Sequence, residues 1–181
     1  MNRVYWGAAF TLFFVAGCAQ TQKAADTTVT AAQAQLSPTL STSDAAFMTT
    51  AARGGMAEVQ MGELAQRNGR SAAVKRFGQH MANDHGRSNQ EMMALARRKE
   101  LTPPGGMGAE HQRIYDDLAK LRGSAFDRAY AQAMVQDHEE DLRLYQQEAA
   151  NGTDPEVKAF AARNVPILEE HLRMARRLPQ R

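Results

Sequence analysis

The sequence predicts an all-α fold: four long helices in two hairpins, joined by a long crossover that carries a short helix. Three observations point to it. Ala, Gln, Arg, Glu, Met and Leu dominate the 181 residues, Ile occurs only at Ile114 and Ile167, and β-branched alternation is absent; such a composition favours helix over strand. Helix breakers fall at helical spacing, at Asn68-Gly69, Pro103-Pro104-Gly105-Gly106, Gly123 and Asn151-Gly152. The segments SAAVKRFG (71–78) and DPEVKAFA (154–161) share a V-K-x-F core, as a repeated hairpin would.

The chain opens with a targeting pattern. Arg3 precedes an apolar run from Val4 to Val15, too short to span a bilayer and shaped like the core of a signal peptide. Val15-Ala16-Gly17-Cys18 resembles the bacterial lipoprotein signal, in which cleavage precedes a Cys that is then lipidated. Cys18 is the single Cys of the chain and stands where the motif requires it. Residues 1–17 are therefore read as a leader. The expected location is the periplasm, with the membrane as a partner through the lipid anchor. Ala19, a residue other than Asp, points to the outer rather than the inner membrane. Residues 18–43, rich in Thr, Ser, Ala and Gln, read as a flexible tether, and the folded domain as 44–179.

Within the domain, Asp44 is expected to cap a first long helix over about 45–68. Ser71 caps a second over about 72–99, which ends in Arg97, Arg98 and Lys99, favourable charges for a helix C-terminus. A short helix follows at about 109–121. Ser124 and Asp127 form an S-x-x-D start for a third long helix, about 125–149. Asp154-Pro155 opens the fourth, which runs to about 178 with Pro166 inside it. The segment between the hairpins is long enough to run the length of the bundle, as in ferritin-like folds with one crossover.

Charge is nearly balanced, with 22 Lys+Arg against 20 Asp+Glu, which argues against nucleic acid as a partner. A homo-oligomer or another envelope protein is the expected macromolecular partner. There is no Walker loop, dinucleotide turn or nucleophile elbow, and no catalytic residue is assigned. The methionines from Met48 to Met174 fall mostly at core spacing, as gap-fillers rather than copper ligands.

Helical phase puts one polar interruption near the middle of each core face: Glu58, His85, Asp137 and His171. Asp84, His138 and Asp141 lie at the stripe margins or beside them, as additional ligands to a centre. His80 and His111 fall off the stripes and are expected at solvent. Buried polar groups must find partners. The inner four therefore form either a His–carboxylate network that fixes helix register or the site of a single Zn, Mn or Fe ion, with no other cofactor.

Four segments, AEVQMGELA (57–65), VKRFGQHMANDH (74–85), GSAFDRAYAQAMVQDHE (123–139) and DPEVKAFAARNVPILEEHL (154–172), resemble the bacterial domain-of-unknown-function family four-one-four-two over about residues 45–178. That resemblance implies a ferritin-like four-helix bundle, exported, and without an agreed activity. Di-iron bundles of the ferritin class carry Glu-x-x-His on two helices. Here the residues three before His85 and His171 are Ala82 and Leu168, so both bridging carboxylates are missing. The expected function is a non-catalytic envelope protein with a structural, interaction or stress-related role; the alternative is a metal-binding or metal-dependent redox protein.

Overall fold

A computed structural model of the chain describes residues 40–179. The leader, Cys18 and nearly all of the tether lie outside these residues. Five helices follow in order: α1 Thr42–Asn68, α2 Ala72–Arg98, α3 Gly108–Ala119, α4 Gly123–Asn151 and α5 Pro155–Ala175. No helix among the described residues is long and apolar enough to cross a membrane.

The four long helices run up, down, down, up. α1 and α2 form one antiparallel hairpin and α4 and α5 the other. The end of α1 lies beside the start of α4, where the Asn68 amide donates to Leu121 O at 3.1 Å. The end of α2 lies beside the start of α5, where Lys99 Nζ pairs with Asp154 at 2.7 Å. The crossover must therefore travel the whole bundle, and α3 lies within it across α1 and α4. Pro103-Pro104-Gly105-Gly106 keeps its first part non-helical. Gly108 and Gly123 take the left-handed conformation, φ 79° and 63°, where α3 and α4 begin.

The two hairpins are copies at a constant spacing of 83 positions: Asp44 and Asp127, Asn68-Gly69 and Asn151-Gly152, Val74 and Val157, Phe77 and Phe160. In this register the partner of Phe47 is Tyr130. Two expected helix starts change for a reason that follows from the repeat. Ser41, not Asp44, is the N-cap of α1, its hydroxyl accepting from Asp44 N at 3.1 Å. Asp44 instead reaches the other hairpin, accepting from Thr153 N and Asp154 N, each at 3.0 Å. Asp127 likewise makes no capping box; α4 starts after Arg122 with no side-chain cap. It accepts from Arg70 N at 2.9 Å and Ser71 N at 2.8 Å. Each hairpin thus donates a buried aspartate that ties off the turn of its twin. Backbone N–H groups in a turn need acceptors, and a carboxylate is a strong one.

Apolar side chains fill the two ends of the bundle separately. One cluster gathers Phe47, Met48, Met92, Leu95, Tyr145 and Phe160. The other gathers Met61, Phe77, Met81, Phe126, Tyr130 and Met134. Between them lies a layer of buried polar groups.

Candidate metal centre

Each long helix places one side chain in that layer: Glu58 from α1, His85 from α2, His138 from α4 and His171 from α5, all buried. Three of these are residues that helical phase turns inward. Asp137 is not among them. On α4 the buried residues run Phe126, Tyr130, Met134, His138, four-residue steps that keep His138 in line with the core and rotate Asp137 out of it. Asp137 Oδ1 instead lies 3.4 Å from His111 Nε2 on α3.

Glu58 is the hub. Its Oε2 lies 2.6 Å from His85 Nδ1 and its Oε1 3.2 Å from His138 Nε2. The three imidazole rings are 5.1 to 5.6 Å apart, centre to centre, and each offers a nitrogen within 4.8 Å of the other two.

Two of the rings have their tautomers set from behind. His138 Nδ1 faces Met134 O at 2.8 Å. A carbonyl only accepts, so Nδ1 carries the proton and Nε2 turns a lone pair inward. His171 Nε2 faces Asp84 Oδ2 at 3.1 Å, so its proton sits on that side and Nδ1 points inward as a lone pair. A carbonyl or carboxylate behind a histidine is the support that metal-ligating imidazoles use.

The inward atoms are left unsatisfied. His85 Nε2, His138 Nε2 and His171 Nδ1 are buried without a hydrogen bond. Burial also fixes their charge. It pushes Glu58 well above the usual carboxylate range, with the Asp137 charge adding to the effect. It holds His85 and His138 down at about 4 and His171 at about 3, the neighbouring imidazoles contributing at His138 and His171. The imidazoles are neutral, the form that binds a cation.

The layer borders one cavity, and a second lies near it without touching its four residues. A cavity of about 470 Å³ opens between α2 and α5 and is lined by Asp84, His85, Asn164, Ile167 and His171. A second, about 380 Å³, lies under α3 and is lined by His111, Ile114, Asp137 and Asp141. Asp141 is buried there, and burial together with the charges of Glu58 and Asp137 raises its carboxyl well above the ordinary range. His111 was expected at solvent. Its ring is largely covered, and although burial works against protonation, Asp137 raises it to about 9. His80 does keep one edge in solvent, yet its Nε2 lies 3.4 Å from Asp84 Oδ2.

Residues 26–178 match a family described as a domain of unknown function, DUF4142. The chain belongs to the DUF4142 family. Among solved structures, the crystal structure of a DUF305 fragment from Deinococcus radiodurans is similar to this DUF4142 chain, with a TM-score of 0.68. It covers 77% of this chain and 96% of its own at 14% identity, a likeness of fold alone. No curated protein matches.

Proposed function

We propose that this DUF4142 domain is a metal-binding bundle that holds a divalent Zn, Mn or Fe ion between Glu58, His85, His138 and His171. It would work in the envelope, on a tether from a lipidated Cys18. The observation that carries this reading is that His85, His138 and His171, from three helices, each bring a nitrogen within 4.8 Å of the other two, with His85 Nε2, His138 Nε2 and His171 Nδ1 buried and without a hydrogen bond, beside the Glu58 carboxyl. A buried polar group left unpaired costs about 1–3 kcal/mol, and a single cation would satisfy the three histidine nitrogens together. Three imidazoles and one carboxylate are a donor set that Zn, Mn and Fe accept. With one carboxylate in the layer and none of the bridging glutamates of the di-iron class, the reading is one ion at this centre rather than an iron pair.

Metal content of protein purified without chelator or affinity tag tests the proposal. The expected result is a stoichiometric ion that is lost in His85→Ala and His138→Ala and kept in Asp137→Ala. Absence of binding after loading with each of the three metals would overturn it, as would equal retention by His138→Ala.

The second reading is a metal-free network that fixes helix register in a non-catalytic bundle. The short Glu58–His85 contact, 2.6 Å, favours it, because two neutral groups can share one proton there. A protonated Glu58 can also donate from Oε1 to the His138 Nε2 lone pair at 3.2 Å, which leaves His85 Nε2 and His171 Nδ1 without partners. A structural, interaction or stress-related role is open to either reading, whereas redox chemistry requires Mn or Fe.

A further inference from the structure

His171 presents its two ring nitrogens to two different sets of ligands. Nδ1 points into the bundle, toward His85 and His138. Nε2 points out, toward Asp84 Oδ2 at 3.1 Å. The same Asp84 oxygen faces His80 Nε2 at 3.4 Å, and His80, Asp84 and His171 offer ligand atoms that all lie within 4.8 Å of one another. The rings of His80 and His171 are 5.3 Å apart and nearly perpendicular.

From this we infer a second metal site at the surface, formed by His80, Asp84 and His171, so that the His171 ring bridges two divalent cations. The inference rests on the reading of the inner centre given above.

Its parts have the character of a site with open positions. Two imidazoles and a carboxylate suit Zn or Cu. The side chain of His80 is 42% exposed and that of Asp84 17%, and Asp84 and His171 border the cavity between α2 and α5, so an ion reaches them from solvent. Arg87 is bound to Asp84, but to Oδ1, and its side chain is 73% exposed. It can therefore swing away while Oδ2 binds. With the inner ion alone, His171 keeps its Nε2 proton and Asp84 accepts it. With both ions, that proton passes to solvent and both nitrogens coordinate; no oxidant or reductant is involved.

The test uses the full chain, stripped by chelator and then loaded with Zn²⁺ or Cu²⁺. Equilibrium dialysis with elemental analysis is expected to give two Zn per chain, one in His80→Ala and one in His138→Ala. His80 is only partly covered and lies off the apolar clusters, so its replacement leaves the bundle folded. Cupric ions joined through an imidazolate couple magnetically. The doubly loaded protein should therefore show an electron paramagnetic resonance signal well below its copper content, and His80→Ala a signal that accounts for its copper in full. One Zn in the parent, unchanged in His80→Ala and absent in His138→Ala, would overturn this inference and leave the inner centre standing. Two Zn retained in His80→Ala, or two coppers without coupling, would overturn it as well. No ion in any form would remove both readings.

Discussion

In the first hairpin, α1 and α2 cross where Gly62 meets Gly78; a Cβ on Gly78 would lie 2.6 Å from Gly62 O. At the corresponding positions of the second hairpin stand Tyr145 and Ala161, and Tyr145 sits edge-on to Phe47 at 5.0 Å. The turns show the opposite behaviour. Asp44 and Asp127 bind the paired turns in the same way, donor for donor. In the central layer the copies keep a buried acid at one position and part at the three histidines. Glu58 answers to Asp141, His85 to Leu168, His138 to Gly55 and His171 to Ser88. Positions that set helix length, turn and end-packing are repeated, and the histidine positions that face the centre are not. A strict two-fold would place ligands in identical pairs. Breaking it lets each long helix supply one group to a single off-axis set.

The turn clamps are the repeated feature whose loss should cost most. Asp127 is buried and is the acceptor for two backbone donors. Removing it in Asp127→Ala leaves those donors without their charged partner, a loss of about 3 kcal/mol, measured by urea or thermal unfolding. The crossing of α1 and α2 comes next. Gly78→Ala drives a methyl into the backbone of α1 and should destabilise by about 2 kcal/mol through overpacking. The reverse change in the other copy, Ala161→Gly, meets no such contact. It should cost about 1 kcal/mol through helix propensity and the methyl lost from a buried site. Equal losses at the two positions would mean that the close crossing is not particular to the first hairpin.

The same contrast explains which features are legible in the residues alone. Breaker clusters and the V-K-x-F repeat carry the helix count, the hairpins and the crossover, because these depend on local propensity and on a pattern that occurs twice. Glu58, His85 and His171 are also legible, since each sits in phase with a clear apolar stripe. His138 reads only as an additional ligand at the stripe margin, one residue from the Asp137 that the phase puts at its centre. Including the half-buried Ala133 and Leu144 in the stripe rotates the face of α4 toward Asp137, whereas the four-residue steps from Phe126 to His138 point to the buried histidine. The roles of His80, His111, Asp44 and Asp127 were not legible. Their partners lie on other helices or in the opposite hairpin's turn, and no periodicity within one segment reports a contact made across the bundle.

A smaller effect sharpens the comparison of the two clamps. Glu148 stands beside Asp44, and its counterpart in the first copy is Ala65, so only one clamp has a second carboxyl. Burial and the neighbouring Asp44, which accepts a hydrogen bond from it, raise Glu148 to about 7 from an ordinary value of 4.5. Asp44 itself is driven up by burial but held down more strongly by donors at Thr153, Ser41 and Asp154, to about 2. The signs differ. The raised Glu148 stabilises the fold fully below pH 4.5, and that contribution fades as pH rises through about 7. The depressed Asp44 stabilises it above 3.8, and that contribution fades as pH falls toward about 2. Glu148→Gln keeps a donor for Asp44 and removes the titration. The difference in stability between parent and variant should then shift by about 1 kcal/mol in the variant's favour between pH 4.5 and 7. Ala65→Gln, made at the matching position of the other clamp, should show no such pH-dependent difference, because Asp127 shares its turn with no titrating neighbour of this kind. A flat difference curve for Glu148→Gln would place the proton elsewhere and make the two clamps electrostatically alike.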